Sequence, residues 1–518
     1  MGRQIHILWT DDEIDLLKPY IFFLEEREYR VTTATNGTDA IRLVREDSFD
    51  LIFLDENMPG LSGLETLNQI KAIAPATPVV MITKNEEEDI MDEALGSKIA
   101  DYLIKPVNPK QILLSIKKNI DTKRLVTRKI TSDYQSQFSQ LGMQINTAQT
   151  FSQWAEIYKK LVYWERELAT SDTEGMEDVL RLQKVEANKE FSRFIRTNYH
   201  GWFTPEGEGI PLLSPRLFKR KIFPLLEENQ VVVVIIDNLR YDQWKLIEQE
   251  IAELFHTDDE EIFSSILPTA TQFARNAMFS GMMPLEIQER YPRLWVGETD
   301  EGSKNTFERE LCTAQMQRAG INKSFNYEKI NNQRTGRKLV QNYRDLLNFD
   351  LNILVYNFVD MLSHARTEME MIRELAFNES SYRSLVLSWF RNSYLLELLK
   401  QLSQHDLRLV ITTDHGSVRV HNPLKVIGDR KTSVNLRYKQ GRNLNYNPRE
   451  VYEITRPESI GLPRSNVSTS YIFAMNNDFM VYPNNYSHFV NLYRNTFQHG
   501  GISMEEMLIP VAVLSPVR

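Results

Sequence analysis

Three apolar runs end in acids. "VVVVIID" (231–237), "LNILVYNFVD" (351–360) and "LRLVITTDH" (407–415) each lead an almost unbroken apolar stretch into an aspartate, and His415 follows Asp414 directly. A strand that is apolar at successive positions is buried on both faces, which calls for helices above and below a mainly parallel sheet. In such sheets ligands bind beyond the carboxyl ends of the strands. The pattern predicts an α/β fold over the later part of the chain and places Asp237, Asp360, Asp414 and His415 along one edge of it.

The beginning of the chain repeats the logic in shorter units. "IHILWT" (5–10), "DLIFLD" (50–55), "PVVMIT" (78–83) and "DYLIKP" (101–106) alternate with amphipathic stretches such as "TLNQIKAIA" (66–74), so a second parallel sheet with helices on both faces is expected. Its strand ends carry Asp11, Asp12, Asp55, Thr83 and Lys105. Three carboxylates form a hard oxygen site suited to Mg²⁺, and a carboxylate beside that ion can accept a phosphoryl group. Lys105 and Thr83 could hold the phosphoryl oxygens, and Lys105-Pro106 reads as a cis peptide. With "DDE", "LDENMPGLSG", the threonine closing the fourth strand and "KP", residues 1–122 resemble a response-regulator receiver domain, which is flavodoxin-like. The resemblance implies Asp55 as phosphoacceptor and Asp11, Asp12, Asp55 and the backbone carbonyl of Asn57 as Mg²⁺ ligands. It also implies Thr83, Tyr102 and Lys105 as switch residues, and a cognate sensor histidine kinase as partner.

Residues 123–204 contain no strand run. "LVTRKITSDYQSQFSQLGMQI" (125–145), "SQWAEIYKKLVYWERELA" (152–169) and "GMEDVLRLQKVEANKEFSRFIRTNY" (175–199) have apolar residues at helical spacing, including Trp154, Tyr158 and Trp164, then Val179, Leu182 and Val185. A helical connector bundle is expected, with the aromatic stripes as its core and the charges from Lys123 to Lys129 as a solvated face. Coupling or dimerisation is the natural role of such a connector.

Histidines join the acids of the second sheet. His364 follows Asp360 by four residues in "DMLSH", one helical turn away, and His499 heads "HGG", whose glycines allow close backbone approach. Imidazole with carboxylate is a zinc donor set. The count suits two ions, one on Asp360, His364 and His499, the other on Asp237, Asp414 and His415. "LPTATQFARNAMFSG" (267–281) reads as a loop entering a helix, with Thr271 near the helix N-terminus, where an anion is favoured. A Thr271 hydroxyl activated beside zinc could attack phosphorus. "DNLRYD", "PTATQFARNAMFSG", "DMLSH", "TTDHG" and "HGG", in this order, resemble the alkaline phosphatase superfamily, specifically a PglZ domain over 205–518. That resemblance implies Thr271 as nucleophile and as an additional ligand in the Asp237, Asp414 and His415 site. The three parts together resemble PorX-like response regulators, which implies control of type IX secretion and gliding as in Bacteroidetes, with a sigma factor or secretion-system component as partner.

The substrate is less constrained. Asn276 follows Thr271 by five residues and could reach a phosphoryl oxygen, though a structural helix role competes. "GDRKTSVNLRYKQGRN" (428–443) offers Arg430, Lys431, Arg437, Lys439 and Arg442, either as a phosphate-binding loop or as a solvated one. Basic character beside two metals favours phosphodiesters, nucleotides among them, over small monoesters. A zinc phosphomonoesterase and a signalling adaptor with a structural metal site are the alternatives. Sulfatases use a modified Cys or Ser in another motif, and Cys312 has no such setting. The net charge of −9 and the lack of a clear recognition-helix unit place a DNA-binding regulator last. One cysteine, no signal-peptide pattern and no run near the ~18 apolar residues of a membrane span indicate a cytoplasmic protein. Phosphorylation at Asp55 is expected to drive homodimerisation.

Overall fold

A computed structural model describes residues 4–75, 77–84, 99–169, 175–203, 209–298, 300, 302–429, 432–464 and 466–517. The chain divides into two compact units, residues 1–135 with 171–173, and residues 136–170 with 174–518.

The first unit is a five-stranded parallel sheet. Strands β1 (His6–Thr10), β2 (Arg30–Ala34), β3 (Leu51–Asp55), β4 (Val79–Thr83) and β5 (Asp101–Ile104) lie in the order β2-β1-β3-β4-β5. β1, β3 and β4 are buried at every position. Helices cover both faces, with Leu67 and Ile70 packed on one side and Ile112 and Ile116 on the other. Lys105-Pro106 is cis.

The expected boundary at residue 122 falls within a continuous helical stretch, Pro109–Ile116, Lys117–Asp121 and Thr122–Thr147. The next two helices, Phe151–Ala169 and Met176–Asn198, fall in the second unit. Trp154 packs between Phe191 and Phe194. The buried face of Met176–Asn198 is Leu180, Gln183, Ala187 and Phe191. Leu182 and Val185, expected inside, are exposed, because the helix turns its polar Gln183 inward to donate to Phe138 O at 3.1 Å. Contacts within this unit hold them there. Glu165 Oε1 pairs with Arg383 at 2.6 Å, Lys184 bridges Glu165 and Glu505, and Tyr199 Oη accepts from Leu267 N at 2.7 Å.

The main sheet of the second unit is built from β6 (Val231–Ile236), β7 (Phe255–Ser264), β8 (Phe325–Ile330), β9 (Leu351–Tyr356), β10 (Arg408–Thr412) and the C-terminal strand Leu508–Pro516. Its order is β7, the C-terminal strand, β10, β6, β9, β8. β10, β6, β9 and β8 run parallel, and the C-terminal strand is antiparallel to both of its neighbours. β6 and β9 are buried throughout, as unbroken apolar runs require. β9 stops at Tyr356, and the chain enters helix Phe358–Glu368, so Asp360 stands in a first helical turn and not at a strand end as expected. Among the described residues no helix is long and apolar enough to cross a membrane.

Candidate active site

In the first unit Asp11, Asp12 and Asp55 bring ligand oxygens within 4.8 Å of one another. Lys105 Nζ stands 2.8 Å from Asp11 and 2.7 Å from Asp55. Burial raises the Asp55 pKa, and Asp11 and Asp12 add to that, while Lys105 opposes it. Thr83 is buried at the end of β4, whereas the Tyr102 side chain is 39% exposed on β5. Asn57 is exposed two residues beyond Asp55.

In the second unit the parallel strands bring the predicted zinc residues to one edge. Asp237 follows β6, and Asp414 and His415 follow β10. All three are buried, and their ligand atoms lie within 4.8 Å of one another. His415 Nε2 is 3.7 Å from Asp237 Oδ1 and 3.8 Å from Asp414 Oδ2. The second group is Asp360, His364 and His499. Helix Phe358–Glu368 sets Asp360 and His364 one turn apart, with Nε2 of His364 3.5 Å from Asp360 Oδ2. His499 Nε2 reaches Asp360 Oδ1 at 3.7 Å.

The wiring of the loops explains how His499 arrives there. Its Nδ1 donates to Thr269 O at 3.1 Å, and Thr269 Oγ1 accepts from Gly500 N and donates to Gly501 O. Gly500 has φ +121°, and a Cβ at Gly501 would stand 2.5 Å from Ala474 O, so both positions demand glycine. His415 Nδ1 donates to Gly416 O at 3.1 Å. With Nδ1 donating to a backbone carbonyl in each ring, Nε2 is left to face the acids, as is typical of metal-ligating histidines.

Thr271 opens helix Thr271–Ser280. Its Oγ1 is 3.0 Å from His415 Nε2 and 3.4 Å from Asp237 Oδ1. The residues fit a cation. Asp414 Oδ2 is buried without a hydrogen-bond partner, and an anionic oxygen left so is costly unless a positive charge meets it. Burial, then the charge of Asp237, holds Asp414 well above the usual carboxylate range. Burial works the same way on Asp237, but Arg275 and then His415 outweigh it and hold that acid low. Burial, then Asp237, raises Asp360.

Residues 217–514 match the family described as "BREX system PglZ alkaline phosphatase-like domain", more than half of the chain. The chain belongs to this PglZ family. Residues 124–203 match the PorX response regulator linker domain and residues 7–117 the response regulator receiver domain, so the order of parts is that of a PorX-like response regulator. The matched description likens residues 217–514 to alkaline phosphatases. Curated relatives match the receiver region. The transcriptional regulatory protein ZraR of Klebsiella oxytoca is 36% identical over 27% of this chain and 32% of its own length. ResD of Bacillus subtilis is 36% identical over 22% of this chain and 48% of its own. The chain thus spans between about a third and a half of these two relatives. A receiver domain structure from Clostridium thermocellum is 33% identical, covering 23% of this chain and 98% of that one, with a TM-score of 0.22. One from Methanospirillum hungatei is 26% identical, covering 23% and 96%, with a TM-score of 0.23.

Outside the two metal groups, the PglZ domain corrects several expectations. Asn276 is buried, its amide donates to Gln272 O and Lys304 O, and its oxygen accepts from Asn305. It braces the loop over helix Thr271–Ser280, with its amide groups taken up by protein partners. Arg437 is fully buried on Glu506, with a 2.6 Å contact, and Lys439 is buried against Ser433 O. Both are core residues: Glu506 meets Arg437 from 69 residues further along the chain, and Lys439 lies against Ser433 O and the Tyr482 ring. Arg442 stays exposed, and Arg430 and Lys431 lie outside the described residues. Two residues went unnoticed in the sequence. Arg275 lies 2.7 Å from Asp237 and sits one turn after Thr271, a spacing that could have signalled it. Asn238 is a buried non-glycine residue at φ +65° whose amide donates to Asp360 Oδ1 at 3.4 Å and to Ser363 Oγ at 3.2 Å. It links the two metal groups, and no local pattern announces it.

Proposed function

We propose that this chain is a response regulator, phosphorylated at Asp55, whose PglZ domain is a zinc-dependent phosphodiesterase with Thr271 as nucleophile. The observation that carries the reading is the placement of Thr271 Oγ1, 3.0 Å from His415 Nε2 and 3.4 Å from Asp237 Oδ1 at the start of a helix. Asp237, Asp414, His415 and Thr271 would hold one zinc ion, and Asp360, His364 and His499 the other. Two such ions supply Lewis acidity for an in-line displacement. The chain's own groups do the rest. Thr271 Oγ1 gives up its proton and forms a bond to phosphorus as the bond from phosphorus to one ester oxygen breaks, and that oxygen takes up a proton and leaves as an alcohol. Water then releases the phosphate monoester and restores the hydroxyl. The helix N-terminus favours the phosphoryl charge.

The charge at the site favours a diester. The guanidinium that does reach the acids, Arg275, is committed to Asp237 and Glu308 and is not offered to substrate. A singly charged diester needs less positive charge than a dianionic monoester, and nucleotide phosphodiesters fit this class. In the receiver, Asp11, Asp12, Asp55 and the Asn57 carbonyl would hold Mg²⁺, with a sensor histidine kinase as phosphoryl source. The PorX-like order of parts extends the proposal to control of type IX secretion and gliding through a sigma factor or secretion component, from a cytoplasmic location.

The test is hydrolysis of bis(p-nitrophenyl) phosphate against p-nitrophenyl phosphate, with zinc content measured in parallel. Faster diester turnover that Thr271→Val abolishes is expected. Faster monoester turnover would make the domain a phosphomonoesterase, and bound zinc without turnover an adaptor.

A further inference from the structure

Arg275 lies on helix Thr271–Ser280 one turn beyond Thr271, and its side chain is 1% exposed. Nη1 is 2.7 Å from Asp237 Oδ2 and 3.7 Å from Asp414 Oδ2, and Nε donates to Glu308 Oε1 at 2.6 Å. Glu308 is itself buried, accepts from the Tyr327 hydroxyl and lies 3.4 Å from Lys329. We propose that Arg275 is the positioning residue of the Thr271-side metal centre. It takes Oδ2 of Asp237, so that Oδ1 alone is presented toward Thr271 Oγ1 and His415 Nε2, and it balances the charge of the site. The inference rests on the zinc reading above and deepens it.

The charge count supports the assignment. Asp237 and Asp414 bring two carboxyl groups into a buried space, and the Arg275 guanidinium stands against both. Glu308 is met by Lys329 as well as by Arg275, so it does not take up the guanidinium's charge alone. A buried charge left without a partner is strongly unfavourable. Arginine also does not deprotonate in a protein, so it remains a cation whether or not metal is bound. The fork explains the choice of residue: one guanidinium reaches Asp237 through Nη1 and Glu308 through Nε, a geometry a lysine ammonium does not reproduce.

The experiment compares wild type, Arg275→Met, Arg275→Lys and Glu308→Gln in the full chain. Zinc stoichiometry is measured by elemental analysis during chelator titration, a readout that does not depend on hydrolysis. In Arg275→Met, one of the two zinc equivalents should bind about ten- to a hundredfold more weakly, the range for lost second-shell partners, while the other is unchanged. Arg275→Lys should recover part of the affinity, since it restores charge without the fork, and Glu308→Gln should show a smaller loss of the same equivalent. In hydrolysis, kcat should fall with KM nearly constant, because Arg275 does not touch substrate. Two zinc equivalents of wild-type affinity in Arg275→Met, or in both Arg275→Lys and Glu308→Gln should Arg275→Met not fold, would overturn the assignment. Equal loss of both equivalents in a folded variant would overturn it as well. A wild-type chain that binds no zinc would instead overturn the metal reading on which it rests.

Discussion

The imidazoles of His415 and His499 are stacked, with centroids 4.3 Å apart and planes inclined by 17°. One ring belongs to the Asp237 group and the other to the Asp360 group, so the two sets of ligands meet along a shared wall. Two charged rings at this separation would repel. Burial, then His415, pushes the His499 pKa down to about 4, and burial lowers that of His415. Neutral rings are what metal ligation requires.

Ligand variants should separate the two sites. His499→Ala and His364→Ala are each expected to weaken binding of one zinc equivalent, and Asp414→Ala that of the other, since each removes one of a site's few charged or imidazole ligands. His364 is 60% exposed and His499 13%, so His364→Ala should show the milder loss, as water can take its place. Elemental analysis showing full occupancy in all three would remove the partition.

Thr271→Val should lower turnover by roughly a thousandfold or more, the scale for deleting a nucleophile, with zinc content and thermal unfolding near wild type. Valine keeps the shape and lacks the attacking oxygen. Single-turnover kinetics on a chromogenic diester measure this, and rates close to wild type would reassign the nucleophile.

Stability should depend on pH through Lys439. Burial brings its pKa down to about 7 from an ordinary value of 10.5, against the pull of Glu298. The unfolded chain therefore binds a proton between about 7 and 10.5 that the folded chain does not, and stability contributed at this site rises with pH across that window. The penalty is full below about 7 and gone above 10.5. Lys439→Met should stabilise by a few kcal/mol at most below neutrality, and the gain should vanish near pH 10.5. Urea unfolding of both proteins across pH measures it; a gain independent of pH would contradict the prediction.

Asn188 fastens the connector to the catalytic part. It accepts from Met504 N at 2.8 Å and donates to Glu505 Oε2 at 2.9 Å, and it is 2% exposed. Asn188→Ala leaves a buried amide and a carboxylate oxygen without partners, at a cost of about 2–3 kcal/mol. Urea titration with an unchanged slope should show this as a lower midpoint.

Phosphorylation should change assembly. Beryllofluoride with Mg²⁺ is expected to shift a monomer–dimer equilibrium by ~3 kcal/mol, roughly a hundredfold in dissociation constant. Asp55→Asn should abolish the response. Light scattering across concentration tests it, and an unchanged mass in protein carrying the mimic would rule the mechanism out.

Local rules carried much of this architecture. Apolar runs and their periods reveal strands and helices because burial of a segment is written in its own side chains, and parallel strands bring their carboxyl ends to one edge whatever the loops do. For that reason Asp237, Asp414 and His415 could be grouped from the sequence, and the helical spacing of Asp360 and His364 placed them together even though β9 ends at Tyr356, before Asp360. Other features depend on partners far away in the chain. Arg437 reads as a loop charge, bound to phosphate or solvated, until Glu506 is packed against it, and Asn276 stays open between phosphoryl contact and helix residue until Lys304 and Asn305 take up its amide. Arg275 gains its place through Glu308, and the connector helices become part of the catalytic unit through Arg383 and Glu505. A polar side chain's role is set by which group desolvates and pairs with it, and among these residues only the tertiary structure decided that.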